Sequence, residues 1–383
     1  MSNKRLSGIP GFSIDRVAAA AGSDAEVLRL ENLDTDLPPP PEALEATRNA
    51  IGADDANSYL PFTGRLDLRE VVTEHIQRLS GHRYDPATEV VITCGGTEGM
   101  FDTLLAVTDP GDEVVLTDPT YAGMTNRVRL AGAAPKLVPF RIVGDRWRLD
   151  LDALRSAIND QTRVLFLMNP SMPSGGVLTH GDWKVIVELC LSRSLWLVYN
   201  AAMERILFDG LPHNHPAGFP DMADRTITVG SVSKEYRMIG WRIGWVAGPA
   251  SIMEDIAKVH IYNVVTPTGI AQAGALAALN SSQANFHACV TEWERRRNTV
   301  LEQLSGLPVV ACSGGWSLLL NVRELGHDSF TASKLLLGKG KVAATPMRDW
   351  GRQNGDQFVR LVYSNEPVSR LSQLRTRVTH ALL

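Results

Sequence analysis

The patterning of the chain predicts an α/β fold: a large domain on a mostly parallel sheet between helices, joined to a smaller α+β domain. Three observations predict it. Short β-branched or apolar runs alternate with helical patterns from about residue 50 to 270, the pattern of parallel strands linked by right-handed crossovers. The run Arg163-Val164-Leu165-Phe166-Leu167-Met168 is apolar after its first residue, as a strand covered on both faces must be. A strand, a Gly-rich turn and a helix start follow one another at residues 89–107, which places a ligand at the C-terminal ends of the strands. The expected organisation is an arm and part of the small domain at 1–45, the large domain at 46–279, and the rest of the small domain at 280–383.

Composition narrows the class. The 383 residues are 44% apolar and 21% charged, ordinary for a globular protein with a sizeable core. A net charge of −4 argues against a broad nucleic-acid footprint. Cys94, Cys190, Cys289 and Cys312 are widely spaced without a CxxC pair, and read as reduced thiols of a cytoplasmic protein. No segment approaches a membrane span, and the N-terminal stretch has no sustained apolar run of the signal-peptide kind. His213 and His215 lie between Pro212 and Pro216 with no further ligand at metal spacing, so a solvated loop and no metal site are expected.

Taken in order, the chain opens with an arm, a short helix and a strand at residues 28–30. Glu31, Asp34 and Asp36 come next, then four prolines, Pro38 to Pro41, that force an extended path. This acidic stretch reads either as a solvated linker or as a negative lip that favours a cationic substrate side chain. Apolar positions at helical spacing mark a helix over 66–79. Residues 89–93 are a strand, Cys94-Gly95-Gly96-Thr97-Glu98-Gly99 a turn, and 100–107 a helix. Free N–H groups and the helix dipole make that turn an anion site. It is neither a Walker loop nor a GxGxxG fingerprint. Further strands are expected near 113–116, 163–168 and 195–199. Long helical structure from 268 to about 304 breaks near Asn280-Ser281-Ser282 and links the two domains.

The stretch 226–249 carries the chemistry. A β-branched strand (Thr226, Ile227, Val229) leads into Ser231-Val232-Ser233-Lys234, and Arg242 follows within Gly240-Trp241-Arg242-Ile243-Gly244. Two hydroxyls and a guanidinium suit a phosphate. The remaining amine, Lys234, suits a Schiff base with an aldehyde. This stretch resembles the lysine signature of the class I/II aminotransferases, the fold-type-I family dependent on pyridoxal 5'-phosphate (PLP). The resemblance covers nearly the whole chain and implies that the large-domain sheet is of the seven-stranded type. Tyr59 with Gly64, Leu68 and Arg69 resembles the family's Tyr-x(4)-Gly-x(3)-Leu-Arg element. Asp118-Pro119-Thr120-Tyr121, Asn169-Pro170-Ser171-Met172-Pro173-Ser174-Gly175 and Phe358-Val359-Arg360 resemble three further family elements.

The resemblance implies a role for each matching residue. Lys234 bonds the cofactor and removes the substrate's α-proton. Gly96, Thr97 and Glu98, mainly through backbone N–H, hold the phosphate with Ser231, Ser233 and Arg242. Tyr59 reaches the phosphate of the neighbouring subunit, which implies a homodimer. Tyr121 stacks on the pyridine ring, and Arg360 with Asn169 binds the amino-acid substrate. At three cofactor contacts the chain departs from the family. Met172 stands where an asparagine donates to the phenolic oxygen, Met203 where a tyrosine does so, and Asn200 where an aspartate pairs with the ring nitrogen. A carboxylate there would keep the nitrogen protonated; a neutral amide supplies no such charge. Three outcomes stay open: an aminotransferase with an unusual site; a PLP enzyme of elimination, replacement, cyclisation or oxidation; and a binding protein on the same fold. Intact Lys234, Arg242, Ser231, Ser233 and Arg360 argue against the last.

Overall fold

The structure is a computed structural model that describes residue 6, residues 8–11 and residues 13–383. Strand β1 (Leu28–Leu30) belongs to the smaller of two sheets. The large sheet contains β2 (Val90–Thr93), β3 (Glu113–Asp118), β4 (Ala134–Val143), β5 (Arg146–Leu149), β6 (Thr162–Met168), β7 (Trp196–Asn200), β8 (Thr226–Ser231) and β9 (Gly244–Ala247). The small sheet is completed by β10 (Val309–Val310), β11 (Ser317–Asn321), β12 (Val342–Pro346) and β13 (Phe358–Val362).

The large sheet runs β2-β9-β8-β7-β6-β3-β4-β5. From β8 to β4 neighbouring strands are parallel, and β9 alone runs against both of its neighbours. This is the expected seven-stranded, mostly parallel sheet, with β5 added as a hairpin return on β4. The hairpin turns at Gly144-Asp145 between paired Val143 and Arg146, and Gly144 takes φ +66 there, a conformation glycine adopts without steric cost. Central strands are buried on both faces: Val164, Leu165, Phe166, Leu197 and Val198 have no exposed surface. Helices such as Gly96–Val107 and His180–Ser192 cover them, the latter started by a capping box between Thr179 and Asp182.

Two consequences of register position the site. Met168 and Asn200, the last residues of β6 and β7, lie beside Val229 of β8, and β8 runs on two residues past them to Ser231. In the small sheet β13 is central, between β12 and β11, and places Arg360 opposite Thr345 and Leu319. The helices Gly269–Leu279 and Gln283–Gln303 meet at the expected break, where Ser282 Oγ accepts the Ala284 N–H at 3.2 Å. No helix among the described residues is long and apolar enough to cross a membrane.

Candidate active site

A cavity of about 200 Å³ opens at the C-terminal ends of the parallel strands, where β13 of the small sheet faces them. Gly96, Thr97, Tyr121, Met172, Asn200, Met203, Ser231, Ser233, Lys234, Arg242 and Arg360 all line it.

One corner is built for an anion. The helix Gly96–Val107 begins at the turn after β2, leaving its first N–H groups unpaired within the helix. Arg242 crosses this corner in a left-handed conformation, φ 54, which a non-glycine residue adopts only when its surroundings hold it there. Its Nη1 donates to Ser233 Oγ at 3.3 Å and to the Ile239 carbonyl at 2.9 Å. A Cβ on Gly95 would stand 2.3 Å from Arg242 Nη2, so only glycine lets the turn and the guanidinium close on one another. Likewise a Cβ on Gly244 would meet Gly96 N at 2.4 Å.

Lys234 follows β8 on the same loop as Ser231 and Ser233. Its ammonium donates to the Leu33 carbonyl and lies 5.1 Å from the centre of the Trp316 ring. Burial pushes its pKa down to about 7; Asp34 opposes this, while Arg360 and Arg242 add to it. A lysine so placed is largely neutral just above neutral pH and so nucleophilic and basic.

Asn200 is 5% exposed at the end of β7. Its Oδ1 accepts the Ala202 N–H at 3.2 Å, which fixes the amide so that Nδ2 approaches Met100 Sδ at 3.3 Å. Met100, Met168, Met172 and Met203 line the cavity together, so thioethers replace hydrogen-bond donors around this edge.

Arg360 has no exposed surface. Nη2 donates to the Glu31 carbonyl and to Thr345 Oγ1 at 3.3 Å, Nη1 lies 3.6 Å from Met172 Sδ, and Nε has no partner among the described residues. Among the described residues it forms no ion pair with a carboxylate. Burial lowers its pKa to about 10, which still leaves it a cation at neutral pH.

Other expected residues are placed differently. Glu98 does not line the cavity. Its side chain turns back to accept the Cys94 N–H and contacts His260 Nδ1 at 2.6 Å, and the same Nδ1 lies 3.8 Å from Asp102 Oδ2. The ligand atoms of Glu98, Asp102 and His260 lie within 4.8 Å of one another. Burial, then the hydrogen bond and the charge of neighbouring Glu98, holds the Asp102 carboxyl above the usual carboxylate range. Asn169 is spent on its own loop: Oδ1 accepts the Leu178 N–H at 2.8 Å and its carbonyl accepts Tyr199 OH at 3.3 Å. Tyr59 is 83% exposed and does not line this chain's cavity.

Two loop expectations are corrected. His215 is buried against Tyr199, not solvated, and His213 Nε2 lies 3.0 Å from Glu204 Oε2. The local sequence is polar, but the loop folds over a buried carboxylate that needs partners. The acidic lip is largely committed: Glu31 is buried and pairs with Arg29, and Asp36 pairs with Arg296 at 2.6 Å. Asp34 remains exposed near Lys234. Ile14, Leu33, Met100, Met168 and Ile239 also line the cavity, and Trp316 and Trp350 pack on its charged residues. Met100 alone had a local signal, as the residue just after the Gly-rich turn.

Residues 26–377 match the family model for aminotransferase class I and II. A probable N-succinyldiaminopimelate aminotransferase of Mycobacterium tuberculosis is 34% identical over 311 residues, 80% of this chain and 78% of that one. An arginine–pyruvate transaminase of Pseudomonas aeruginosa is 30% identical, covering 86% of this chain and 83% of its own. The solved structure of N-succinyldiaminopimelate aminotransferase from Mycobacterium tuberculosis superposes with a TM-score of 0.93 at 30% identity, over 99% of both chains. These comparisons support amino-group transfer and lend nothing to elimination, cyclisation, oxidation or cofactor-free binding. The chain belongs to the class I and II aminotransferases, PLP-dependent enzymes of fold type I.

Proposed function

We propose that this aminotransferase holds PLP through Lys234, Ser231, Ser233, Arg242 and the N–H groups of Gly96 and Thr97, and binds its amino acid by the α-carboxylate at Arg360. The observation that carries the reading is one cavity holding an enclosed, low-pKa lysine between an anion corner and a buried guanidinium without a carboxylate.

The residues fit the cofactor at its phosphate, where the turn leaves no room for a Cβ and Arg242 meets the helix start. Tyr121 offers a flat aromatic face along the ring's side. When bound, the cofactor supplies a ring that draws electron density from the substrate's Cα. Arg360 holds the carboxylate as a planar fork. The neutral Nζ of Lys234 takes the proton from that carbon. Asn200 would offer the ring nitrogen a neutral amide, and Met172 and Met203 would offer the phenolic oxygen no donor. All three lower the electron demand the chain can impose on the ring.

The same reading makes the protein a homodimer with shared sites. Ile51, Tyr59, Phe62, Leu66 and Tyr262 are exposed large apolar side chains, and such exposure suits burial against a second copy. Tyr59 reaches the partner's phosphate. Incubating the holoenzyme with a panel of amino acids and a 2-oxo-acid acceptor tests the reaction. The expected products are a new amino acid and the donor's oxo acid in equal amounts. Ammonia or peroxide without amino transfer overturns it.

A further inference from the structure

Trp350 belongs to no element the sequence marked, yet it packs behind two residues that line the cavity, Arg360 and Tyr121. The Arg360 guanidinium lies 4.7 Å over its ring, and Tyr121 packs on it at 5.6 Å. Its Nε1 donates to Ser13 Oγ at 3.4 Å, at the start of the helix whose Ile14 lines the cavity. Its carbonyl accepts the Thr120 N–H at 2.8 Å. The residues after it are strapped to the large sheet. Asp118, 1% exposed at the end of β3, accepts the N–H groups of Arg352 at 2.9 Å, Gln353 at 2.8 Å and Asn354 at 3.2 Å. A Cβ on Gly351 would stand 2.2 Å from Asp118 Oδ1, so the strap closes tightly on that carboxylate.

We propose that Trp350 is a positioning residue for the substrate-carboxylate clamp, and that Asp118 is its anchor across the two sheets. A buried guanidinium without a carboxylate is costly, and Arg360 has only two oxygen acceptors and a thioether. The tryptophan face supplies the missing stabilisation, since indole is the best aromatic partner for a cation and arginine stacks on it in a fixed plane. Stacking also sets which edge of the fork meets an incoming carboxylate. The strap then makes that orientation depend on the large sheet, which carries Lys234 and Tyr121. The clamp on one sheet and the base on the other are thereby held in one register.

The inference rests on Arg360 being the carboxylate site, and the test separates the two. Propionate binding to the holoenzyme is followed by the change it causes in the cofactor's visible absorption, and PLP affinity is measured on the apoprotein. Arg360→Ala abolishes propionate binding if the clamp reading holds; unchanged binding sinks that reading and this proposal with it. Trp350→Leu is expected to weaken propionate about five- to thirtyfold, the span from an exposed to a desolvated cation–π contact. PLP affinity stays the same, and Trp350→Phe restores most of the loss. Full propionate affinity in Trp350→Leu overturns the proposal alone, as does an equal loss in the Leu and Phe variants, which would make shape rather than the aromatic face responsible. Should Trp350→Leu fail to fold, Asp118→Asn carries the test: weaker propionate at unchanged PLP affinity supports the strap, and unchanged propionate overturns it.

Discussion

The state of Lys234 before the cofactor arrives can be read by titration. Bond formation with an aldehyde needs the neutral amine, so the rate of cofactor capture by the apoprotein follows the fraction deprotonated. With a pKa of about 7, half of the Lys234 amines are neutral at pH 7, against roughly three in ten thousand for a lysine at 10.5, the ordinary value. The structure therefore gives an advantage of about a thousandfold at neutral pH. Apoprotein mixed with PLP in a stopped-flow instrument should combine faster as pH rises from 5.5, then level off above about pH 8. Pyridoxal, which lacks the phosphate, should follow the same curve and so exclude phosphate ionisation as its source. Asp34 is the group that opposes the shift, so Asp34→Asn should move the plateau to lower pH. The same shift acts on stability. The unfolded lysine titrates near 10.5 and the folded one near 7, so the unfolded chain binds more protons between them. Lys234 therefore makes the apoprotein more stable as pH rises through that window, and that contribution is gone below about 7. A capture rate that climbs tenfold per pH unit through pH 9 would refute the reasoning, since it would mean that the amine is solvated and titrates normally.

Three other perturbations address separate parts of the site. Asn200→Asp should keep the ring nitrogen protonated and speed exchange of the substrate's α-proton in deuterated water by about tenfold or more, since one pKa unit is worth a factor of ten. Unchanged exchange, read by proton NMR, would assign Asn200 to positioning alone. Gly95→Ala places a Cβ against Arg242 at a φ of +75, so PLP affinity should fall at least about tenfold through clash and strain; an unaltered dissociation constant would remove Arg242 from the phosphate corner. Sedimentation should find a dimer, and Tyr59→Phe should weaken PLP without changing the sedimentation coefficient. A fully active monomer would end the shared-site reading.

What the sequence made legible was what lies close together in it. Ser231, Ser233, Lys234 and Arg242 sit on one loop, and Gly95 to Thr97 on one turn, so the anion corner and the lysine could be placed from local pattern. The parallel sheet was legible because β6 is apolar from Val164 to Met168 and the centres of its neighbours are apolar too. Contacts between distant segments were not. Nothing in the residues around Trp350 indicates that it lies under Arg360, because β13 and the loop before it meet only in the folded small sheet. Polar loops also misled: His215 and Glu31 look solvated in sequence, yet His215 is buried against Tyr199 and Glu31 is buried in a pair with Arg29. Glu98 was expected at the phosphate mainly through its backbone N–H; the helix already begins at Gly96, and the direction of the Glu98 side chain, toward His260, was not legible.

The central claim is that Lys234 carries the cofactor, and covalent trapping tests it most directly. Borohydride reduction of the holoenzyme fixes the bond between lysine and PLP, and digestion with mass spectrometry then locates it. The expected result is one phosphopyridoxyl group per chain, on the peptide containing Lys234, and none in Lys234→Ala. A label on another lysine, or a protein that remains colourless and unlabelled with added PLP, would contradict the account.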